Sequence, residues 1–495
     1  MIFHRFFDDK LAQASYLIGC VATGEAVVID ANRDVEPYVR AAEREGLRIT
    51  AVTETHIHAD YLSGSRELAA RTGAQLHLSD CGPAEWKYGF AASDQARLLN
   101  EGDEIVVGNV RVRALHTPGH TPEHLSFLFI DGAATTDPMG IITGDFVFCG
   151  DVGRPDLLEK AVQVKGSAAK AAKVLWQSLE KFRALPDHLS VWPGHGAGSA
   201  CGKGMSAVPS STVGYEKRVN WAFLAKDEAA FVAGVLAGQP EPPAYFATMK
   251  RLNRDGPKVL GGIRMPGLLD FSQLPVGSSE SGGVKGKASV HPSKLPTPNE
   301  QVLVDLRSAA DFAAGHIPGS LSIPLNKSFT TWAGSLLPYD RDIQLIFPDR
   351  DAAGLREAVR DLALIGLDRI AGYWTVDAID WWRDQGRGLA TVAQISAPEL
   401  AGTLADASRN GVVVDVRAAS EWAEGHLPGA IHIPLPELAD RLDELPTARP
   451  LVLHCAAGAR SMIAASLLQA HGVAGVMNLT GGYSAWLKAG LPTEE

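Results

Sequence analysis

The stretch Thr55-His56-Ile57-His58-Ala59-Asp60-Tyr61 comes just after Arg48-Ile49-Thr50-Ala51-Val52-Thr53, a short and partly β-branched run. Such a run predicts a strand that ends just ahead of the first histidine. On an extended backbone, residues two apart point to the same side. We therefore expect His56 and His58 to face one cavity together.

Two later fragments place further polar side chains at strand ends. Thr117-Pro118-Gly119-His120 follows a predicted strand over 110–115, and Thr143-Gly144-Asp145 ends one over 141–143. Two imidazoles and a carboxylate gathered on one face of an ion leave its other face open, which on iron suits a reaction between O₂ and a substrate. We therefore expect these fragments and the first two histidines to converge on one metal.

The first fragment resembles the opening motif of the metallo-β-lactamase superfamily, T-H-x-H-x-D-H, except that Tyr61 stands at the last histidine. The resemblance implies an α/β fold, an αββα sandwich. In dinuclear members such as glyoxalase II, that last histidine and a later Pro-Gly-His, here Pro193-Gly194-His195, help to hold a second metal. A phenol has an ordinary pKa of about 10 and is a poor substitute for an imidazole near pH 7, so one metal is favoured over two.

Within the superfamily, the first half of the chain resembles the persulfide dioxygenases. The similarity runs through Thr117 to Pro122, Thr143 to Asp145 and Gly153-Arg154-Pro155-Asp156. In that family one Fe(II) is held by the first motif histidine, the Pro-Gly-His histidine and the Gly-Asp aspartate. The resemblance therefore implies one Fe(II) per chain, bound by His56, His120 and Asp145.

The same resemblance implies supporting roles around the metal. Four residues are expected to orient the ligands and bound water: His58, Asp60, Tyr61 and His195. Arg154 matches an arginine that meets the carboxylate of a thiol carrier such as glutathione, a task that suits its planar fork. A salt bridge to a nearby acid is the alternative for this arginine.

The second half of the chain contains an internal repeat with a spacing of 110 residues. Residues 305–319 return as 415–429, each with Asp-x-Arg and a Gly-His-x-Pro-Gly turn after an apolar strand. Strands alternating with helices predict a small parallel α/β sheet in each copy, and both elements resemble the rhodanese domain. We expect three domains: 1–255 of metallo-β-lactamase type, 256–388 a degenerate rhodanese-like domain, and 392–495 a rhodanese sulfurtransferase domain.

In the second copy, a predicted strand over 451–454 leads into the loop Cys455-Ala456-Ala457-Gly458-Ala459-Arg460 and then into a helix. This turn aims backbone N–H groups and a helix N-terminus at the cysteine sulfur, which favours the thiolate and stabilises a persulfide. Because the loop resembles that of sulfurtransferases, we expect Cys455 and Arg460 to be catalytic and Gly458 to bind substrate. Ala456 replaces an arginine of many family members, which leaves the anion preference open. A buried inert thiol is the alternative for Cys455.

The first copy has no cysteine, because none occurs between Cys201 and Cys455. Aligning Leu345-Ile346-Phe347 with the strand before Cys455 places Asp349 at the cysteine position. A carboxylate cannot carry sulfane sulfur, so we expect this domain to be a spacer or a docking surface. The Gly- and Ser-rich segment 276–287, near its start, predicts a loop or linker.

Cys201 lies in a Gly-rich segment that follows His195, and we expect it to border the metal cavity. The segment resembles bacterial fusions of a persulfide dioxygenase with tandem rhodanese domains, in which a cysteine here handles sulfur. Lys203 would favour its thiolate. A catalytic Cys201 and a structural, small hydrophobic one both remain open.

The composition is compatible with chemistry on small molecules. A chain of 495 residues has room for about three domains, and a net charge of −11 argues against nucleic acid or an anionic membrane as a partner. We find no signal-peptide pattern and no apolar run that would span a bilayer. Five cysteines suit a reducing, cytoplasmic location. A homo-oligomer is neither predicted nor excluded.

Together these features predict a bifunctional sulfur-oxidising enzyme of the kind used in sulfide detoxification. Fe(II) and O₂ would oxidise a low-molecular-weight thiol persulfide to sulfite, and Cys455 would pass sulfane sulfur to sulfite, giving thiosulfate. One alternative is a zinc-dependent, glyoxalase II-type thioesterase fused to a sulfurtransferase. Another is a non-enzymatic sulfur carrier or persulfide sensor. The carrier thiol is not specified by the sequence.

Overall fold

The computed structural model describes residues 1–157, 166–274, 301–350, 352–405, 411–446 and 448–494. The chain divides into two compact units: Met1–Ile263 with Leu362–Gly366, and Arg264–Asp361 with Leu367–Glu495. The predicted linker at 276–287 lies outside the described residues. Among the residues that are described, no helix has the length and apolar character needed to cross a lipid bilayer.

Within the described residues, the first unit contains twelve strands in two sheets. They are β1 (Ile2–Asp8), β2 (Gln13–Cys20), β3 (Glu25–Ile29), β4 (Arg48–Thr53), β5 (Gln75–Ser79), β6 (Arg97–Leu99), β7 (Glu104–Val107), β8 (Val110–His116), β9 (Leu125–Asp131), β10 (Gly140–Gly144), β11 (Ser190–Pro193) and β12 (Ser211–Thr212). One sheet has the order β1-β2-β3-β4-β5-β6 and the other the order β12-β11-β10-β9-β8-β7. The strands predicted at 48–53, 110–115 and 141–143 are β4, β8 and β10.

Helices cover the outer faces of both sheets. In this unit they are α1 (Glu36–Arg44), α2 (Ser65–Thr72), α3 (Ser167–Arg183), α4 (Val213–Val219), α5 (Trp221–Leu224), α6 (Glu228–Leu236) and α7 (Phe246–Asp255). A central apolar cluster that includes Ile18, Val112 and Phe127 lies between the two sheets. A second cluster packs the first sheet on α1 and α2, and a third packs the second sheet on α3 and α6. This is the predicted αββα sandwich.

The described part of the second unit has two parallel sheets. Its strands are β13 (Gln301–Asp305), β14 (Leu321–Ser322), β15 (Asp342–Phe347), β16 (Ile370–Thr375), β17 (Ala393–Ile395), β18 (Val412–Asp415), β19 (Ile431–His432), β20 (Leu451–His454) and β21 (Val476–Leu479). One sheet has the order β14-β13-β15-β16 and the other the order β17-β21-β20-β18-β19. All neighbouring strands in both sheets are parallel, as the alternation of strands and helices predicted.

The helices of this part are α8 (Ala309–Ala314), α9 (Phe329–Leu336), α10 (Leu355–Leu364), α11 (Asp377–Asp384), α12 (Ala397–Ala405), α13 (Ala419–Ala423), α14 (Ala459–Ala470) and α15 (Gly482–Lys488). Short 3-10 helices occur at Ala84–Trp86, Phe271–Gln273 and Leu435–Glu444.

Helix α14 is buried on all sides. Eight consecutive residues, Ser461 to Leu468, are shielded from solvent. A helix whose entire surface is buried must be packed against other elements on every side. It packs on β20 and β21 of its own sheet and on β14 and α8 of the preceding domain. There the Ser466 hydroxyl accepts a hydrogen bond from the Ser322 N–H at 3.0 Å.

The sheet register corrects the alignment of the two repeat copies. In the first copy, Asp305 on β13 pairs with Ile346 on β15. In the second copy, Asp415 on β18 pairs with His454 on β20. The position of Cys455, one residue further on, is therefore filled in the first copy by Phe347. Placing Asp349 there was wrong, because β15 lies two residues off the register that the apolar pattern had indicated. Phe347 is fully buried, so a packed ring replaces the nucleophile.

The central cluster of the sandwich can be tested with Phe127→Ala. Phe127 is fully buried between the two sheets, so removing its ring leaves a cavity that is expected to lower the free energy of unfolding by about 3–5 kcal/mol. Denaturant titration measures this change. Val106→Ala, at a side chain that is 58% exposed, is the control and is expected to change the free energy by less than about 0.5 kcal/mol. Equal losses in the two variants would contradict the packing described.

Candidate active site

The loops after β4, β8 and β10 bring together the side chains of His56, His120 and Asp145. One possible ligand atom of each lies within 4.8 Å of those of the others, and all three side chains are buried. Asp145 Oδ2 is 3.9 Å from His56 Nε2 and 3.5 Å from His120 Nε2. The three predicted ligands therefore surround one point.

Two glycines allow the backbone to approach this point closely. Gly144 has a φ of +49°, in the left-handed region that favours glycine, and a Cβ there would lie 2.5 Å from Thr55 Oγ1. A Cβ on Gly153 would collide with the carbonyl oxygen of Asp145. The glycines of the Thr-Gly-Asp and Gly-Arg-Pro-Asp motifs thus have steric reasons to be there.

Both histidines of the cluster are oriented through Nδ1. His120 Nδ1 is 3.0 Å from the carbonyl oxygen of Arg154. His56 Nδ1 is 2.9 Å from Thr55 Oγ1, and that hydroxyl donates to Asp30 at 3.0 Å. These acceptors favour the tautomer with the proton on Nδ1, which leaves the Nε2 lone pair free for a metal.

Asp30 organises the first loop, although it lies outside the predicted motifs. Its carboxylate accepts a hydrogen bond from the Thr55 N–H at 2.6 Å and lies 3.2 Å from His58 Nε2. Burial lowers the pKa of His58, but the carboxylates of Asp30, Glu54 and Asp60 outweigh it and raise the pKa to about 9. The sequence signal for Asp30 was an aspartate directly after the apolar run of β3.

His124 is a second residue that the motifs did not include. Its Nε2 accepts a hydrogen bond from the backbone N–H of Asp145 at 3.1 Å, and its Nδ1 is 2.9 Å from Thr117 Oγ1. Burial and the neighbouring histidines lower the pKa of His124 well below its ordinary value. A neutral His124 therefore fixes the backbone that presents the Asp145 carboxylate.

The donor set fits a divalent transition-metal ion. Neither side-chain oxygen of Asp145 has a hydrogen-bond partner among the described residues, and a buried carboxylate without a partner is costly. Burial lowers the pKa of His56 and of His120, so that both rings are neutral and can bind a metal. Two neutral imidazoles and a carboxylate are ligands used by iron and zinc alike.

Tyr61 offers no ligand to this cavity. Its hydroxyl donates to the carbonyl oxygen of Asp30 at 3.3 Å and accepts from Gln13 Nε2 at 3.4 Å. Burial raises the pKa of Tyr61 well above its ordinary value, so the phenol stays protonated. Its ring packs on His58, with the ring centroids 4.5 Å apart.

Asp60, His195 and Cys201 form a second buried group beside the first. The expectation that Lys203 favours the Cys201 thiolate is wrong, because its Nζ donates to carbonyl oxygens at the end of α6. Burial and the carboxylates of Asp60 and Asp145 instead raise the pKa of Cys201 well above its ordinary value. Cys201 is therefore a protonated thiol in this setting.

Arg154 is fully buried and already has partners. Its Nε and Nη2 donate to the two carboxylate oxygens of Asp156 at 2.7 and 2.6 Å, and its Nη1 donates to the carbonyl oxygen of Ala200 at 2.9 Å. The structure thus shows the salt bridge that was the alternative for this arginine. A contact with the carboxylate of a thiol carrier stays a prediction.

The loop after β20 encloses the sulfur of Cys455. The Gly458 N–H donates to it at 3.1 Å and the Ser461 hydroxyl at 3.5 Å. Gly458 has a φ of +98° and immediately precedes α14, so the helix N-terminus faces the sulfur. Arg460 donates to both carboxylate oxygens of Glu421 at 2.5 and 2.7 Å, a partner that the loop motif did not predict.

The fold and the buried donor cluster define a metal-binding sandwich followed by tandem rhodanese-like domains. The family model of the metallo-beta-lactamase superfamily matches residues 8–195, and that of the rhodanese-like domain matches residues 293–378 and 396–489. A solved metallo-beta-lactamase structure from Staphylococcus aureus is 42% identical, with a TM-score of 0.65 over 76% of this chain and 99% of that chain. The chain belongs to the metallo-β-lactamase superfamily.

Two further relatives are similar to the first half. The hydroxyacylglutathione hydrolase of Rhodospirillum rubrum is 36% identical over 180 residues, which are 36% of this chain and 60% of that hydrolase. ETHE1 from Myxococcus xanthus is 28% identical over 51% of this chain and 98% of that chain, with a TM-score of 0.42. The family matches identify the protein as an enzyme.

The role of Asp30 can be tested with Asp30→Asn. Removing the negative charge weakens the hydrogen bonds that the carboxylate accepts from Thr55 and its interaction with His58. The affinity of the site for the metal is therefore expected to fall about 10- to 100-fold. Competition with a chelator, followed by elemental analysis, measures this affinity. Asp137→Asn, at an exposed position, is the matched control and is expected to bind metal as the unmodified chain does. Unchanged affinity in Asp30→Asn would remove Asp30 from the site.

Proposed function

We propose that the chain oxidises the outer sulfur of a low-molecular-weight thiol persulfide with O₂ and transfers sulfane sulfur at Cys455. One observation carries this proposal: a single chain holds the buried cluster of His56, His120 and Asp145 and also a rhodanese loop with its cysteine. The resemblance of the first-half motifs to persulfide dioxygenases supports the oxidative step. The rhodanese match supports the transfer step.

The oxidation balances without a further reductant. One persulfide, one O₂ and one water give one thiol, one sulfite and two protons, so the outer sulfur is oxidised and O₂ is reduced. Bound Fe(II) would supply open coordination positions for this chemistry. His56, His120 and Asp145 would hold the ion, and the hydrogen bonds from Nδ1 of both rings keep the Nε2 atoms aimed at it.

The transfer step proceeds on the Cys455 thiolate. The thiolate attacks the outer sulfur of a second persulfide, and the bond to the carrier sulfur breaks as the carrier leaves as a thiolate. Sulfite then attacks the outer sulfur of the Cys455 persulfide, which releases thiosulfate and returns the thiolate. The Gly458 N–H and the N-terminus of α14 stabilise the negative charge on sulfur in each state.

Placing the two sites in one chain has a kinetic benefit. Sulfite made at the first site reaches the second at an effective concentration set by the chain rather than by the bulk solution. In this proposal residues 1–255 carry the oxidation, 392–495 carry the transfer, and the domain between them supports the second without chemistry of its own.

A second candidate function is a zinc-dependent thioesterase fused to the sulfurtransferase. The identity of 36% with a hydroxyacylglutathione hydrolase favours it, because the same cluster of imidazoles and carboxylate suits zinc. Tyr61 weighs against it, since its hydroxyl donates to a carbonyl oxygen and is not available to a second ion.

Separate sites predict that Cys455→Ser abolishes thiosulfate formation and leaves O₂ consumption unchanged, because the cysteine takes no part in the oxidation. His56→Ala is expected to show the reverse, with no O₂ consumption and normal sulfur transfer from thiosulfate to cyanide. An oxygen electrode and a sulfur-transfer assay measure the two activities. Loss of both activities in Cys455→Ser would contradict this division.

The metal decides between the two candidate functions. Protein loaded anaerobically with Fe(II) is expected to consume O₂ with a persulfide such as that of glutathione or coenzyme A, since Fe(II) can react with O₂ and zinc cannot. The zinc-loaded protein is expected neither to consume O₂ nor to hydrolyse an acyl-glutathione thioester. Failure of the iron-loaded protein to consume O₂ with any persulfide ends the oxidative proposal, and thioester hydrolysis by the zinc-loaded protein supports the alternative.

A further inference from the structure

Arg154 connects the two groups of buried side chains in the sandwich unit. Its backbone carbonyl oxygen lies 3.0 Å from His120 Nδ1, and its Nη1 donates to the carbonyl oxygen of Ala200 at 2.9 Å. Ala200 directly precedes Cys201 in the chain. One residue therefore contacts both a predicted metal ligand and the loop that carries the cysteine.

The backbone at Arg154 is tightly packed against the first cluster. A Cβ on the preceding Gly153 would collide with the carbonyl oxygen of Asp145 and would lie 3.2 Å from His120 Cβ. The Gly153 N–H also donates to the carbonyl oxygen of Phe146 at 3.2 Å. These contacts fix the Arg154 carbonyl at the place where it orients the His120 ring.

The guanidinium of Arg154 is occupied along the edge that would meet a carboxylate. Its Nε and Nη2 donate to the two carboxylate oxygens of Asp156 at 2.7 and 2.6 Å, and the side chain is fully buried. The carboxylate of a thiol carrier could reach this edge only by displacing Asp156. Such an exchange replaces one carboxylate by another and gains no hydrogen bond.

The loop that carries Cys201 is held on both sides of the cysteine. Arg154 holds it at the preceding residue. After the cysteine, the carboxylate of Asp151 accepts hydrogen bonds from the N–H groups of Lys203 and Gly204 at 3.0 and 2.8 Å. Asp151 is buried like Arg154, and hydrogen bonds to charged groups are stronger away from water. The position of the loop is therefore well defined.

These two anchors place the Cys201 thiol beside the metal cavity. Its sulfur lies within 4.8 Å of a carboxylate oxygen of Asp60 and of a ring nitrogen of His195, and the side chain is buried. A thiol is only a weak hydrogen-bond donor, so these neighbours do little to hold it in place. The anchors in the backbone of the loop must do so instead.

We propose that Arg154 is a positioning residue, which holds Cys201 beside the metal cavity and orients His120, and that it does not bind the carboxylate of the carrier. The side chain performs the first task and the backbone carbonyl performs the second. The carrier is then selected independently of its carboxylates. The statement about the carrier rests on the proposed function, whereas the positioning of Cys201 does not.

The rate at which iodoacetamide alkylates Cys201 tests the positioning. The full-length chain carries Cys455→Ser, which prevents sulfur exchange with the rhodanese loop, and mass spectrometry follows the peptide that contains Cys201. Arg154→Ala is expected to raise the rate about 10-fold or more, because losing the anchor at Ala200 makes local opening of the loop easier. Arg111→Ala, at an arginine that is 54% exposed, is the control and is expected to leave the rate unchanged.

An unchanged rate in Arg154→Ala would overturn the proposal. The metal content is expected to stay as in the unmodified chain, because the substitution keeps the backbone carbonyl that orients His120. If Arg154→Ala loses both its metal and its fold, Asp156→Asn is the second variant. It keeps the guanidinium and removes the charge that fixes it, so faster alkylation of Cys201 is expected there too. A folded Asp156→Asn with an unchanged rate would count against the proposal.

The statement about the carrier is tested by O₂ consumption with the persulfides of glutathione and of glutathione diethyl ester, in which the carboxylates are masked. Arg154→Ala is expected to slow both reactions by the same factor. A rise in KM for the persulfide of glutathione alone would show that Arg154 binds the carboxylate and would overturn that statement. If the unmodified, iron-loaded protein consumes no O₂ with either persulfide, the proposed function fails and the alkylation result still stands.

Discussion

The arrangement of the first unit depends on carboxylates kept out of water where strand ends of the two sheets meet. Asp30, Asp60 and Asp145 are at most 5% exposed, and a buried anion is stable only when donors or cations face it. Asp30 has such partners in Thr55 and His58. Asp60 Oδ2 and both side-chain oxygens of Asp145 have no hydrogen-bond partner among the described residues, although histidine Nε2 atoms lie 3.3 to 3.9 Å from them. The cavity therefore contains buried negative charge that the hydrogen-bond donors around it do not offset.

The sequence was informative where a ligand lies next to the strand that positions it. His56, His120 and Asp145 each follow an apolar run within a few residues, so local pattern and family motif sufficed to bring them together. Asp30 and His124 act on these ligands through contacts that join separate strands, which no short motif describes. The αββα and parallel α/β architectures followed from the same local patterns together with the internal repeat.

Other expectations depended on the tertiary contacts of a flexible side chain or on the pairing register of a strand, which the local sequence does not determine. Lys203 is near Cys201 in sequence, but packing directs its amine to carbonyl oxygens at the end of α6. The guanidinium of Arg154 donates to the carboxylate of Asp156, two residues further along the chain. Phe347 took the position given to Asp349, because apolar residues at a strand end do not show which pairing register forms. Similarly, Glu421 lies far from Arg460 in sequence and yet accepts hydrogen bonds from its guanidinium.

The burial of α14 gives the domain without a cysteine a structural role. The helix whose N-terminus faces Cys455 has eight consecutive residues hidden from solvent, and part of that cover comes from β14 and α8 of the degenerate copy. Deleting that copy would expose an apolar surface of α14 to solvent, and such a surface promotes self-association. The middle domain thus contributes to a folded and soluble transfer domain through its surface alone, without supplying a reacting group.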